Sequence, residues 1–177
     1  MKKDADAGFS NQQFSGVLAE YNTLRAEILK RVEIRNSIVF GTLTFSGVLL
    51  GFGLTTPTFA LLYIIISMFL AAAWVQNDVL ISGLGKYIRE NLERSETGLR
   101  WETYRQQGRI AAAQTKKLHP TAVFSTGGVF LITQAVALII ALSKIKIFTI
   151  LEWVFSFIAI ICIIVTIYLF QYSSKNN

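Results

Sequence analysis

The stretch AAAWVQNDVLISGLGKYIRENLERS, residues 71–95, decides the fold because two different helix patterns meet in it. Its first part is uncharged and apolar up to Trp74, as a membrane span requires. After Asp78 the segment is charged, and its apolar residues recur at helical spacing. These apolar residues are Leu80, Leu84, Tyr87, Ile88 and Leu92. The pattern predicts a membrane-spanning helix that continues directly into an amphipathic helix.

Four apolar runs are long enough to be considered as membrane spans: residues 37–54, 58–75, 122–142 and 147–170. A span needs about 20 predominantly apolar residues. Only 16% of the chain is charged and its mean hydropathy is +0.48, whereas soluble domains are about 25% charged. The first two runs are separated only by Thr55, Thr56 and Pro57, which predicts a helical hairpin. We therefore expect an all-α integral membrane protein with four transmembrane helices.

The chain divides into five segments by composition. Residues 1–36 are expected to form a cytoplasmic amphipathic helix, and residues 37–76 the transmembrane hairpin. Residues 77–120 are a second cytoplasmic helical region, with a loop at 95–98. Residues 121–170 hold the second transmembrane pair, and residues 171–177 form a cytoplasmic tail. The first 36 residues lack the pattern of a secretory signal, so we expect insertion through the chain's own spans.

The distribution of basic residues predicts the orientation in the membrane. Of the 17 Lys and Arg residues, six lie in residues 1–36, eight in residues 76–121 and one in the tail. Only Lys144 and Lys146 lie in the connections expected on the other side. Cytoplasmic loops are the ones rich in Lys and Arg. Both termini are therefore predicted to be cytoplasmic, and the net charge of +6 gives no reason to expect nucleic-acid binding.

The N-terminal segment also has an amphipathic helix pattern. Ser10 and Gln13 fit a capping box, which predicts a helix start at Ser10. Opposite charges at i,i+4 are expected to pair, as in Glu27–Arg31 and Arg89–Glu93. The apolar stripe consists of Phe14, Leu18, Tyr21, Leu24, Ile28 and Val32. This stripe is expected to pack against the one in residues 80–92 and form a stalk; the alternative is that the second helix lies flat on the bilayer.

A third cytoplasmic helix is expected after the loop, within the sequence LRWETYRQQGRIAAAQ. Several of its aromatic and basic residues, with two from the preceding helix, are candidates for a surface that binds a cytosolic protein. This candidate partner surface consists of Tyr87, Arg89, Trp101, Tyr104 and Arg105.

The first span differs from the others in a row of small residues at spacings of three and four: Ser37, Gly41, Thr44, Gly47 and Gly51. Small residues at this spacing let helix backbones approach closely. The row predicts either packing within the chain or a face for self-association or for a pore. Gln134, near the middle of the third span, is expected to hydrogen-bond another helix or to line a pore.

Several functional classes have no support in the sequence. Asp, Lys, Arg and His are absent from the four spans, and Glu152 is expected near the outer rim of the fourth, which argues against ion-coupled transport. Enzyme and metal-site motifs are also missing, so we expect no catalytic residue, metal or cofactor. Cys162 lies in the fourth span and is expected to pack as a small apolar residue.

Three blocks carry a resemblance: YNTLRAEILKRVEIRNSI at 21–38, AAAWVQNDVLISGLGKYIRENLE at 71–93 and GLRWE at 98–102. In these blocks the chain resembles a family of small bacterial multi-pass membrane proteins with no assigned function. The resemblance implies an inner-membrane location and a helical hairpin with cytoplasmic helices. It implies no catalytic residue. In general plan the chain is similar to membrane effectors of bacterial anti-phage defence systems, which is an analogy of architecture.

Two functions are compatible with this sequence. The first is a homo-oligomeric membrane effector, such as a gated pore or a membrane-perturbing component of a phage-defence system, controlled through its cytoplasmic helices. The alternative is a non-conducting scaffold that anchors a cytosolic protein. The expected partners are the lipid bilayer, further copies of the chain and a cytosolic protein.

Overall fold

Helices make up nearly all of the structure. The computed structural model describes residues 2–93, 99–114, 126–144 and 149–176, and these residues contain no strand. The predicted loop at 95–98, residues 122–125 and residues 147–148 lie outside this description. The described residues form five α-helices: α1 (Lys2–Gly53), α2 (Pro57–Tyr87), α3 (Trp101–Gln114), α4 (Thr126–Lys144) and α5 (Ile150–Asn176).

In the part of the chain that the structure describes, four helical segments are long and apolar enough to cross a membrane. They lie in α1, in α2 with the turn that follows it, in α4 and in α5, and their bounds are Phe14–Gly53, Pro57–Leu92, Gly127–Lys144 and Glu152–Ser174. The prediction of an all-α protein with several apolar, span-length helices is therefore confirmed.

Two helix ends differ from the prediction. α1 begins at Lys2 rather than at Ser10, so the Ser10–Gln13 pattern lies inside a helix. Ser and Gln are compatible with a helix interior, and a capping-box spacing alone does not require a helix start. At the other end, α5 continues to Asn176, so most of the predicted tail at 171–177 is helical.

The apolar and amphipathic parts of residues 71–95 form one continuous helix, as predicted. α2 begins at Pro57, where a proline is favourable because the first-turn amides have no partner in the helix. It continues through Trp74 and Asp78 to Tyr87 and then passes into a π-helical turn at Ile88–Leu92. In this wider turn the Glu93 amide bonds the Ile88 carbonyl, five residues earlier, at 3.0 Å.

The chain divides into two compact units, and both α1 and α2 contribute to each. The polar unit comprises residues 1–33 and 80–117, and the apolar unit comprises residues 34–79 and 118–177. The sequence places the corresponding changes of composition at 36/37 and 76/77.

The core of the polar unit is formed by residues of both predicted apolar stripes together with Val17 and Ile81, which lie outside the predicted stripes. Four predicted stripe residues remain exposed: Phe14, Leu18, Leu80 and Tyr87. Ile28, Ile81, Ile88 and Leu92 are buried in it, and partly buried residues surround them: Val17, Tyr21, Leu24, Val32 and Leu84. Residues from both helices therefore cover each other's apolar surface. This packing contradicts the alternative in which the stripe of the second helix lies flat on a bilayer.

The core of the apolar unit has two buried clusters. One is built around Ala60, Leu61, Tyr63 and Ile64 of α2, packed on alanines of α4 and α5. The other contains Ala71, Trp74, Val75 and Phe130, with Phe170 packed against them. Trp74 is 8% exposed and lies 5.6 Å from the Phe170 ring centroid. The Trp74 ring is therefore packed inside this cluster, against the rings of Phe130 and Phe170.

Two glycines near the end of α1 provide a matched test of packing in the apolar unit. A Cβ at Gly53 would lie 2.9 Å from the Ala60 Cβ and 3.2 Å from its backbone nitrogen, whereas one at Gly51 would have nothing within 4 Å. We expect Gly53→Ala to lower the free energy of unfolding by about 1–3 kcal/mol. Gly51→Ala should instead raise it, by up to about 1 kcal/mol. Chemical unfolding in detergent measures both, and equal effects would contradict the packing described here.

Candidate functional site

The predicted row of small residues on α1 lies on an open surface of the apolar unit. Ser37, Thr44, Gly47 and Gly51 are exposed, and Gly41 is partly exposed. A Cβ placed on Gly41, Gly47 or Gly51 would meet no atom within 4 Å. Among the described residues, no other helix therefore packs against the row.

α1 packs within the apolar unit through a second row of small residues that sequence reasoning missed. Thr42 is fully buried, Ser46 is 8% exposed, and Gly53 closely approaches Ala60 of α2. Successive helical residues are turned by about 100°, so this second row lies roughly 180° from the first. The signal was present in the sequence as small residues at 42, 46 and 53, but composition alone cannot distinguish the two faces.

The exposed row is bordered by large apolar side chains. Phe40 is 70% exposed and lies on the same face, and Val48, which is 52% exposed, lies beside Gly47. The face thus combines a shallow groove over the small residues with a protruding ring. Small-residue grooves of this kind permit close contact with another helix in lipid.

Gln134 lies inside the apolar unit and not on the exposed row. Its side chain is fully buried, and its Nε2 donates hydrogen bonds to Ser67 Oγ at 3.3 Å and Thr166 Oγ1 at 3.1 Å. Beside it, the Tyr63 hydroxyl donates to Thr133 Oγ1 at 2.7 Å. These bonds join α2, α4 and α5, so Gln134 acts as an interhelical hydrogen-bond donor, and it does not line a pore along the α1 face.

An ion pair joins three helices at one end of the apolar unit. Arg35 Nη1 donates to Asp78 Oδ1 at 2.5 Å, and Ser173 Oγ donates to Asp78 Oδ2 at 2.8 Å. The Arg35 guanidinium also lies 5.4 Å from the centroid of the Trp74 ring. Sequence reasoning missed this pair, although Arg35 and Asp78 are the charged residues nearest to the uncharged segment 36–77 on either side.

A second ion pair holds α3 in the polar unit. Arg25 Nη1 donates to Glu102 Oε1 at 2.8 Å, and the Glu102 side chain is 7% exposed. Arg25 also lies 5.6 Å from the Trp101 ring centroid, and Arg105 lies 3.6 Å from Glu102. At Gly85 of α2, a Cβ would lie 3.3 Å from Glu102 Oε2. Glycine at this position therefore permits the close approach of the carboxylate.

Glu93 caps the first turn of α3. Its carboxylate oxygens accept hydrogen bonds from the Glu102 and Thr103 amides, at 2.6 and 2.7 Å, and from the Thr103 hydroxyl at 2.8 Å. The first amides of a helix have no partner within it, so a carboxylate there is favourable. The predicted Arg89–Glu93 pair is therefore wrong, because the π-helical turn directs Glu93 to α3. Arg89 instead lies 3.8 Å from Glu90. The predicted Glu27–Arg31 pair is present, at 2.6 Å.

The residues predicted as a partner surface differ in their surroundings. Tyr104 is 71% exposed and Trp101 is 51% exposed. Arg89 and Arg105 are only partly exposed and lie close to carboxylates. The Tyr87 hydroxyl donates to Glu20 Oε1 at 2.9 Å, a bond that raises the pKa of the Tyr87 phenol. Desolvation by burial raises the pKa of Tyr21 in the same unit.

No group of three or more His, Cys, Asp or Glu side chains in the described part of the chain could hold a metal ion. A comparison of the chain with protein-family models, with curated proteins and with solved structures finds no match.

Proposed function

We propose that this protein is a homo-oligomeric effector of the bacterial inner membrane, whose copies meet along the exposed row on α1. The observation that carries the proposal is the position of the row, which lies opposite the face that α1 uses for packing in its own chain. Glycine inside a helix costs roughly 1 kcal/mol relative to alanine. Three glycines on a face with no neighbour among the described residues are best explained by a contact with another copy.

The bilayer constrains how two copies would meet. In lipid, helices associate through close packing of their surfaces rather than through a hydrophobic driving force. All copies are inserted with one orientation, so neighbouring α1 helices run parallel and equivalent residues face each other. Gly41, Thr44 and Gly47 of one copy then lie against the same residues of the next. Phe40 fits beside this contact because its ring protrudes from the same face.

The charge pattern supports an orientation in which the polar unit is cytoplasmic. Of the 17 Lys and Arg residues, only Lys144 and Lys146 fall in the connection assigned to the opposite side. A cytoplasmic polar unit can receive a signal from a soluble protein, and its exposed Trp101 and Tyr104 offer a binding surface. Such a signal changes the state of the protein only if it binds the two states with different affinity. The proposed response is a change in the α1 contacts that increases membrane permeability, as a phage-defence effector requires.

The permeability step can be tested in cells. We expect induced expression of the wild type, alone or together with its cognate partner, to collapse the membrane potential, and Gly47→Leu at an equal membrane level to abolish this effect. A potential-sensitive dye measures the response. An unchanged potential in every combination would contradict an effector that permeabilises the membrane.

A non-conducting scaffold is the second candidate, and the exposure of Trp101 and Tyr104 favours it. In this case Tyr104→Ala should abolish recovery of the cytosolic partner in a pull-down, while the permeability of wild-type and variant membranes stays the same. Tyr168→Ala is the matched control, because Tyr168 is equally aromatic and 66% exposed but lies on α5 of the apolar unit. A pull-down unaffected by Tyr104→Ala would count against the scaffold.

A further inference from the structure

Within the polar unit, α3 is attached in a different way from α1 and α2. The apolar cluster of this unit is built from residues of α1, α2 and the π-helical turn, and its described members include none from α3. The large apolar side chains of α3 remain exposed: Trp101 is 51% exposed, Tyr104 71% and Ile110 48%. Burial of apolar surface therefore contributes little to holding α3.

Charged groups hold the first turn of α3 instead. The Glu93 carboxylate accepts from two backbone amides and one hydroxyl of this turn. The Glu102 carboxylate, in the same turn, binds Arg25 of α1 at 2.8 Å. Hydrogen bonds of this charge-assisted kind are short and strong, but partly exposed ion pairs weaken as salt screens them.

The cap depends on the π-helical turn. Glu93 reaches α3 because Ile88–Leu92 forms a wider turn, closed by the bond from the Glu93 amide to the Ile88 carbonyl. In a regular α-helix the same amide would bond the carbonyl of Arg89, and the Glu93 side chain would be turned away from its present direction. Single π-helical turns within α-helices often occur at functional sites. The observed π-helical pattern thus places Glu93 at the cap, whereas a regular α-helical pattern would not.

We propose that α3 is a detachable arm, docked through Glu93 and Arg25, and that its release is the switch in the polar unit. In the docked state the π-helical turn directs Glu93 to the α3 amides. When the turn adopts the regular α-helical pattern, the cap is lost and α3 remains attached to α1 only through Arg25. A protein that binds the exposed Trp101–Tyr104 face better in one state shifts this equilibrium. The purpose of the switch rests on the proposed function. The docking of α3 does not, and it can be measured within one chain.

The test is a distance measurement by pulsed electron paramagnetic resonance on the full chain in detergent. Spin labels are placed at Asn22→Cys on α1 and Tyr104→Cys on α3, both at exposed positions, in a Cys162→Ala background. Labelled protein is diluted with unlabelled protein, so that only distances within one chain are observed. Oligomerisation therefore does not affect the result, and failure of this test is separate from failure of the α1 contact.

We expect one short, narrow distance at low salt and a second, longer distribution that grows as NaCl is raised to 1 M. Glu93→Gln should increase the undocked fraction at least about tenfold, because charge-assisted hydrogen bonds are lost. Glu90→Gln, on the same turn and with its side chain 53% exposed, is the matched control and should behave as the wild type. A single narrow distance in every sample, at all salt concentrations, would overturn the proposal.

A second pair of variants keeps the inference testable if Glu93→Gln disrupts the fold of the polar unit. Arg25→Gln leaves the cap in place and removes the ion pair to Glu102 and the contact with the Trp101 ring. Lys30→Gln is its control because Lys30 is 66% exposed in its pair with Glu33. Arg25→Gln should also populate the longer distance, and more so at high salt. An unchanged distance in Arg25→Gln would mean that α3 is fixed by other contacts and is not a detachable arm.

Discussion

The Gly47→Leu substitution is expected to break the association between copies while leaving the fold of each chain intact. Within the chain, a Cβ at this position would meet no atom within 4 Å, and the position is exposed, so a larger side chain can extend away from the chain. Leucine also favours the helix over glycine by up to about 1 kcal/mol. Between two parallel α1 helices it would hold the backbones apart, and we expect at least about tenfold weaker association, roughly 1.4 kcal/mol.

The predicted combination of effects is distinctive: the variant chain unfolds at the same or a higher denaturant concentration, but the oligomer is lost. Ala135→Leu is the matched control, because Ala135 is also an exposed small residue but lies on α4. It should leave the oligomer unchanged. Analytical ultracentrifugation in a mild detergent measures the association. Equal masses for the wild type and Gly47→Leu would place the row outside any contact between copies.

The second large effect is expected at the ion pair between Arg35 and Asp78. Asp78→Ala removes the partner of Arg35 and the acceptor of the Ser173 hydroxyl, and the Arg35 side chain is only 26% exposed. A fully buried charge that loses its partner costs about 3–5 kcal/mol. Because this pair retains some exposure, we expect a loss of about 2–3 kcal/mol in the free energy of unfolding.

A double-mutant cycle separates the coupling energy between Arg35 and Asp78 from the other effects of each substitution. Adding Arg35→Ala to Asp78→Ala should cost little more than Asp78→Ala alone, because the unpaired charge is then gone. The Lys30–Glu33 pair, whose side chains are 66% and 68% exposed, is the control and should couple by less than about 1 kcal/mol. Additive effects of Arg35→Ala and Asp78→Ala would show that the contact contributes nothing to stability.

Much of the architecture could be predicted because the chain carries strong periodic signals. The uncharged runs predict the span-length helices, and the matched apolar stripes around Ile28 and Ile88 predict the packing of α1 on α2. The continuation of α2 beyond Asp78 follows from the absence of any helix-breaking residue between Val75 and Tyr87 except Gly83 and Gly85. These signals are local, because the apolar residues that form the sequence pattern are the same residues that pack in the structure.

The features that could not be predicted depend on geometry that spacing does not encode. The sequence contains two rows of small residues on α1, and only packing distinguishes the face at Thr42 from the face at Gly47. The Glu93 carboxylate reaches the α3 amides from the end of a π-helical turn, and no residue pattern in 88–92 predicts such a turn. The packing of Trp74 on Phe130 and Phe170 likewise depends on how α2, α4 and α5 meet, which residue spacing does not show.

Disulfide scanning along α1 tests the central claim most directly, because it reports which face of the helix meets another copy. Single cysteines are introduced in a Cys162→Ala background at Thr44, Gly47 and Gly51 of the exposed row and at Thr42 and Ser46 of the packed face. The proposed contact predicts covalent dimers at the three row positions after mild oxidation of native membranes, and none at the two packed positions. Dimers at neither set, or equally at both, would contradict it.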